Sequence, residues 1–442
     1  MKQRNPWAWV PTLYFAEGVP YVAVMTISLV MYKRLGLSNT DITLYTSWLY
    51  LPWVIKPLWS PFVDILRTKR WWILTMQLLI AASLGGVAFT IPGEWWLQAS
   101  LFCFWVMAFA SATHDIAADG FYMLGLDQHQ QAFFVGIRST FYRIATIVSS
   151  GLLVGLAQVL QGWTGSIPYS WSLVFYGMAA LFIALWLWHS FMLPHAEKTE
   201  ATSGTRDEDG QKTTFAQIGR EFADTVITFF KKPQVLVGLA FMLFYRMPEG
   251  LLVKVSSLFL IDNPSNGGLG LSDGDYGLVQ GTVGVIGLTL GGILGGIAAS
   301  RDGLKRWLWP MVLAITVPDI VYVVLAWWQP TSLWFIGACV CMEQFGYGFG
   351  FTAYMLYLIY YSQGDHKTSH YALCTAFMAL SMMIPGLFSG ALQELVGYKT
   401  FFLIVVTFCA ITYIVTALIK IEPSFGKKNA PEDAQQKSNV TK

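Results

Sequence analysis

Charge is scarce in this chain. Lys, Arg, Asp and Glu together make up 12% of its 442 residues, roughly half of what a soluble domain carries, so a water-soluble globular protein is excluded. Cysteine is scarce too: Cys103, Cys339, Cys341, Cys374 and Cys409 all fall in apolar stretches. Neither a disulfide framework nor a zinc site is indicated, and the Cys-x-Cys at 339–341 reads as ordinary packing. With only six histidines, no metal-binding pair emerges, and no nucleophile motif stands out, so an intramembrane enzyme is not expected and no cofactor is implied. A net charge of +2 gives no reason to expect a nucleic acid partner.

What the chain has in abundance is hydrophobic length. Hydrophobic residues reach 55% and the mean hydropathy is +0.50, and apolar runs recur at the ~20 residues a membrane-crossing helix needs. In lipid a backbone must pair its own polar groups, so such runs are helices. Spans are expected near 7–33, 41–63, 71–91, 96–123, 134–160 and 169–193, then near 234–261, 276–300, 307–328, 331–361, 369–394 and 399–420. The expectation is an all-α integral membrane protein of twelve transmembrane helices. Residues 1–193 form one six-helix bundle, 194–232 a cytoplasmic linker, 233–421 a second bundle and 422–442 a flexible cytoplasmic tail. In the linker, Phe215, Ile218, Phe222, Val226 and Phe229 follow helical spacing, which predicts an amphipathic helix on the inner membrane face.

Lys and Arg fix the orientation, because they are retained on the cytoplasmic side. With the amino terminus inside, the cytoplasmic segments hold twenty of the 28 basic residues. The external loops hold three, Lys33, Arg34 and Lys399, and the spans hold Lys56, Arg138, Arg143, Arg246 and Lys254. Both termini are therefore expected in the cytoplasm, with the first apolar stretch too long for a cleavable signal peptide.

The two sets of six spans echo each other. "SPFVDILRTKRWW" (60–72) follows the second span and "ASRDGLKRWLW" (299–309) follows the eighth, each with an Asp ahead of a basic pair and an aromatic. Glu17-Gly18 in the first span matches Glu249-Gly250 in the seventh. Two parallel six-helix halves with a site at their interface is the arrangement of major facilitator transporters. The loops read as a conformational latch of Asp64, Arg67, Lys69 and Arg70, weakly repeated by Asp302 and Arg306. Their basic residues also serve as topological signals. The glycines of the eighth span, Gly281 to Gly296, lack the Lys-Ser/Thr of a phosphate loop and read as a small-residue packing stripe.

A charge inside a span costs about 2.5–3.5 kcal/mol even on the lenient insertion scale, so each is a functional candidate. Depth pairs Glu17 with Lys56, Asp119 with Arg138 and Asp115 with Arg143, Glu17 lying ~15 Å from the cytoplasmic end of its helix. Asp115 and Asp119 with the two arginines make either a static network or a site for anions and protons. His114 beside them reads as a packing or hydrogen-bonding residue. The seventh span carries Arg246, Glu249 and Lys254, the ninth Asp319 and the tenth Glu343. Because burial favours the neutral form of a carboxyl group, Glu17 and Glu343 lead as proton-coupling residues, joined by Asp115, Asp119 and Glu249. Lys56, Arg143 and Arg246 are the cations that an anionic substrate would meet. Tyr14, Tyr21, Trp48, Trp53, Tyr347 and Tyr354 lie near mid-span, where a ring-shaped ligand could stack, packing being the alternative for each.

"LPWVIKPLWSPFVD" is similar to the Pro-x-x-x-Lys-x-x-Trp-(Ala/Ser)-Pro-x-x-Asp pattern of the peptide–acetyl-coenzyme A transporter family, which includes AmpG-type muropeptide permeases. "SATHDIAADGF" resembles the same family's fourth-helix signature, with His114 where Gln is usual. The resemblance covers most of the chain, and Lys56, Asp64, Asp115 and Asp119 carry over as matching positions. It implies a multi-pass protein of the cell inner membrane, importing by alternating access and driven by the proton gradient. The implied cargo is anhydromuropeptide or an amino sugar such as N-acetylmuramic acid, whose carboxylate gives Lys56, Arg143 or Arg246 a partner. The expected partners are that small molecule and the lipid bilayer, with the protein a monomer. The rivals are an acetyl-coenzyme A or other organic-anion or sugar carrier of the same fold, which would want a more basic cavity, and a non-transporting membrane sensor, which would favour an extramembrane domain.

Overall fold

The computed structural model describes residues 5–126, 128–194, 215–364, 367–423 and 425, and everything described is helix, turn or connection without a strand. In chain order the helices are α1 (Pro6–Arg34), α2 (Asn39–Trp48), α3 (Leu51–Leu66), α4 (Lys69–Thr90), α5 (Trp96–Gly125), α6 (128–164) and α7 (Ile167–Met192). From Phe215 onward come α8 (Phe215–Phe230), α9 (Val235–Ile261), α10 (Asp273–Asp302), α11 (Leu304–Trp328), α12 (Leu333–Ser362) and α13 (Lys367–Leu418). Among the described residues nine helices are long and apolar enough to cross a membrane. The expected spans 369–394 and 399–420 run together in α13, which is bent at Gly397 by a backbone of φ 76° and ψ 163° that suits glycine.

Prolines break helices where the chain later needs polar groups. In α9, Pro248 cannot donate to the ladder, and its ring would clash with the carbonyl four residues back, that of Phe244. The helix accordingly divides into Val235–Phe244 and Met247–Ile261, with Arg246 at the break at φ −102° and ψ 10°. In α11, Pro318 tightens Val317–Asp319 into a 3-10 turn that carries Asp319. Wider π-turns interrupt α1 at Ala23–Ile27, just after Pro20, as well as α6 at Val148–Leu153 and α10 at Val279–Gly284.

Small residues let the helices approach. A methyl on Gly291 of α10 would overlap the Phe345 carbonyl of α12, and one on Gly348 would overlap the Leu288 carbonyl. Both glycines are therefore required by the α10–α12 contact. The repeated Glu-Gly pairs play matching parts: Gly18 of α1 packs on Tyr142 and Ala145 of α6, and Gly250 of α9 on Ser381 and Pro385 of α13.

Among the described residues, the hydrogen bonds between the helices up to α7 and those from α9 onward gather towards one end. There Lys33 pairs with Asp262 at 2.9 Å and Arg34 with Asp273 at 2.5 Å. Asn39 donates to Gln393, Thr40 to Glu394, and the Gly390 amide to Thr43. Further inward the seal ends with Lys254 donating to Thr46 at 2.6 Å and Ser150 to the Gly281 carbonyl at 3.5 Å.

Candidate substrate and coupling site

The first cluster is built by α1, α3, α5 and α6. Asp115 and Asp119 are four residues apart on α5 and share a face. The Lys56 ammonium of α3 donates to Asp115 Oδ2. Arg138 Nη2 of α6 reaches Asp119 Oδ1 at 2.8 Å, and the same oxygen accepts from the Tyr14 hydroxyl at 3.1 Å. The Arg138 guanidinium lies 4.4 Å over the Tyr14 ring and 5.3 Å over Tyr122, a cation–π arrangement that offsets part of its desolvation. Glu17 sits beside Asp115, buried, with its Oε2 unpartnered. Three carboxyl groups thus meet two cations.

The second cluster lies where the two groups of helices face each other. Arg246, at the α9 break where it caps the second half-helix, donates from Nη2 to the Tyr347 hydroxyl. Its guanidinium lies 4.6 Å over Phe351, 5.5 Å over Tyr347 and 5.7 Å over Tyr354, while its Nε has no partner. Arg143 of α6 comes up against Gly292 of α10 and is within electrostatic reach of the same Tyr347. Among the described residues neither arginine makes an ion pair. From the first helices Tyr21 stands edge-on to Trp53 at 5.4 Å, and Tyr50 lies between Tyr21, Arg246 and Tyr347. Lys254 points at the Tyr50 ring from 5.5 Å. Two guanidiniums without carboxylate partners, framed by aromatic rings and phenol hydroxyls, form a place for an anion carried on a ring-shaped body.

The Major Facilitator Superfamily model matches residues 13–358 and 258–442. The chain belongs to the Major Facilitator Superfamily. It is 25% identical to the "Anhydromuropeptide permease" of Escherichia coli (strain K12) over 405 residues, covering 88% of this chain and 75% of that one. It is 24% identical to the "Putative transporter AmpG 4" of Rickettsia conorii, covering 88% and 91%. Of solved structures, the D-xylose-proton symporter matches with a TM-score of 0.69 at 12% identity over 94% of this chain and 97% of that one. The nucleoside transporter NupG matches with a TM-score of 0.68 at 16% identity over 93% and 98%. This is a multi-pass membrane transporter, and its relatives are permeases and transporters, not enzymes.

Within that Major Facilitator framework the sequence-derived candidates fall into place unevenly. Arg138 pairs with Asp119 as depth predicts, but the other two depth pairs are corrected. Lys56 bonds Asp115 rather than Glu17, and Arg143 turns away from Asp115 towards α10. Depth fixes a residue's level in the membrane; the rotation of its helix decides which neighbour it meets. Tyr14 and Tyr354 spend their hydroxyls inside the protein, on Asp119 and on the Met242 carbonyl at 2.6 Å, and act as supports. Trp48 lies at the end of α2, 43% exposed. Glu249 and Glu343 meet in a separate cluster with Asp319.

Of the latch, the Asp64 side chain lies outside the described residues. Arg70 donates to the Ser190 and Leu193 carbonyls at 2.6 and 3.3 Å, capping the end of α7. Arg67 lies 5.8 Å over Trp71, and the Lys69 stem runs along Gly120 of α5. Asp302 and Arg306 make a local pair at 3.4 Å within the turn between α10 and α11. His114 is hydrogen-bonded, within the reading given to it, but the buried chain it ends escaped the sequence reading: Thr12 to His189 at 3.0 Å, His189 to Gln77, and Gln77 to His114 at 3.1 Å. Its members are polar residues on four different helices, and no spacing links them. Tyr50 was missed as one aromatic among many. Asp319 was named as a charge within its span, but its meeting with Glu249 and Glu343 was not foreseen.

Proposed function

We propose that this transporter imports cell-wall amino sugars or muropeptides with a free carboxylate, such as anhydromuropeptide or N-acetylmuramic acid, by proton-coupled symport. On this reading twelve segments cross the inner membrane of a bacterial cell, and the excess of Lys and Arg puts both termini on the cytoplasmic side. The end sealed by Lys33, Arg34, Asp262 and Asp273 then faces outward, and the binding layer opens inward. The observation that carries the reading is the pair of guanidiniums, Arg143 and Arg246, that form no ion pair among the described residues and are both within reach of Tyr347. They supply the counter-charge that a sugar carboxylate needs, and Tyr21, Tyr50 and Trp53 supply the stacking faces. For the proton, support comes from the first cluster. Glu17, Asp115 and Asp119 outnumber Lys56 and Arg138 by one negative charge, and a proton neutralises the excess during the crossing.

The test is uptake of radiolabelled N-acetylmuramic acid and anhydromuropeptide into proteoliposomes, with and without an inward proton gradient. Gradient-driven accumulation is expected. Folded protein that takes up neither compound defeats the reading, and acetyl-coenzyme A is the cargo to try next.

A further inference from the structure

The later helices hold a buried constellation that sugar transport leaves without a task. Glu249 from α9, Asp319 from the proline turn of α11 and Glu343 from α12 each bring a carboxylate oxygen within 4.8 Å of the other two. Their relative exposures are 3%, 2% and 3%. Among the described residues no lysine or arginine forms an ion pair with any of them. Arg246, three residues before Glu249, acts on that carboxylate electrostatically, but one guanidinium does not balance three carboxylates gathered in hydrocarbon, which require a further counter-charge.

Two observations say what kind. Glu343 is surrounded by donors: Tyr322 gives its hydroxyl to Oε2 at 3.2 Å, and the Gln344 amide reaches Oε1 at 3.3 Å and Oε2 at 3.0 Å. The Cys409 thiol is 3.5 Å from Asp319 Oδ2. Donors aimed at carboxylate oxygens offset part of the burial cost that otherwise favours the neutral form. Independently, Glu249 Oε2 and Asp319 Oδ1 are buried with no hydrogen-bond partner at all. A proton shared between two carboxyl groups draws their oxygens to about 2.5–2.7 Å, and no hydrogen bond joins any two of these three residues. Oxygens that all lie within 4.8 Å of one another are instead close enough to share one hard cation, since two bonds of ~2.4 Å span at most that distance. The backbone agrees. Two of the three residues sit at proline-induced helix breaks, where discontinuous membrane helices coordinate ions.

We propose that Glu249, Asp319 and Glu343 form a binding site for a hard metal cation of the size of sodium or calcium, separate from the Lys56–Asp115 cluster. On this inference Glu249 and Glu343 hold a metal ion rather than a coupling proton. The proposal stands independently of the cargo.

The experiment is thermal unfolding of the purified full-length protein at pH 8, with choline chloride replaced stepwise by sodium, lithium, calcium or magnesium chloride at constant ionic strength. For a specific site the unfolding temperature rises with the logarithm of cation concentration above Kd. A response to sodium and lithium identifies a monovalent site, and one to calcium a divalent site. In Asp319→Asn or Glu249→Gln protein the required concentration is expected to rise about tenfold or more, while Lys56→Ala protein keeps the native response. An unfolding temperature that ignores all four cations overturns the proposal and assigns shared protons to the cluster. A response that survives in both variants also overturns it, by placing the cation elsewhere. If one variant does not fold, the other carries the test, and a native protein indifferent to all four cations overturns the proposal without any variant.

Discussion

Lys33 reaches across from α1 to Asp262 at the end of α9, with 2.9 Å between ammonium and carboxylate. Asp262 also accepts from Tyr398 at 3.0 Å and Asn266 at 3.3 Å. Its partial burial pushes the carboxyl pKa up, but the Lys33 ammonium and these donors outweigh burial and hold it below its ordinary 3.8. A depressed carboxylate stabilises the state that contains it above its ordinary pKa and loses that effect as pH falls through the lowered value. The seal is therefore expected to hold across neutral and mildly acidic pH and to loosen below about pH 4. Distances between spin labels on Thr40 and Leu395 would lengthen on acidification. In Asp262→Asn protein that acid step would vanish, and an unchanged step would refute the assignment.

The Lys56–Asp115 pair yields a second prediction. Removing one partner of a largely buried ion pair strands the other, at about 3 kcal/mol here because both side chains keep some exposure. Lys56→Ala is expected to lose that stability and most uptake. Lys56→Ala combined with Asp115→Asn would recover much of the stability and none of the coupled uptake, since the carboxylate is gone. Denaturation and proteoliposome assays on the same preparations separate the two effects. Equal stability of the single and double variants would show that the contact contributes little.

How much of this was written in the sequence differs by level. The spans were legible because membrane helices must be long and apolar, and α1, α4 and α7 begin and end within a few residues of their expected limits. Asp119–Arg138 was legible from depth along the membrane normal. Asp115 was not, because the long stem of Lys56 carries its ammonium to α5 from a helix whose rotation no hydropathy pattern records. The Arg246 layer was half legible. The cation and its tyrosines stood out, but its place at a helix break goes with Pro248 two residues on, and its lack of an ion pair among the described residues is a property of the assembled helices.

Glycine packing gives a prediction that needs no substrate. Gly291→Ala or Gly348→Ala thrusts a methyl into a carbonyl of the facing helix and is expected to lower stability by about 1–3 kcal/mol. Gly155→Ala, on α6, meets nothing within 4 Å and is expected to be neutral or slightly stabilising, since alanine is the better helix former. Thermal unfolding of the three proteins checks the contrast, and equal shifts would refute the close α10–α12 contact.

The last prediction concerns Arg246. Its charge alone could be kept by lysine, but its plane could not: the guanidinium lies over Phe351 at 4.6 Å and donates to Tyr347, leaving Nε for a ligand. A charge-assisted hydrogen bond contributes about 1.5–3 kcal/mol, so Arg246→Lys is expected to raise KM for N-acetylmuramic acid by about 10–100-fold. An ammonium cannot present two parallel donors to a carboxylate. The discriminating substrate is the methyl ester, which has the same ring but no charge. If Arg246 binds the carboxylate, the ester is a poor substrate for the native protein and the substitution changes its KM little. If Arg246 only shapes the aromatic layer, acid and ester lose affinity equally, and the anion must be sought at Arg143.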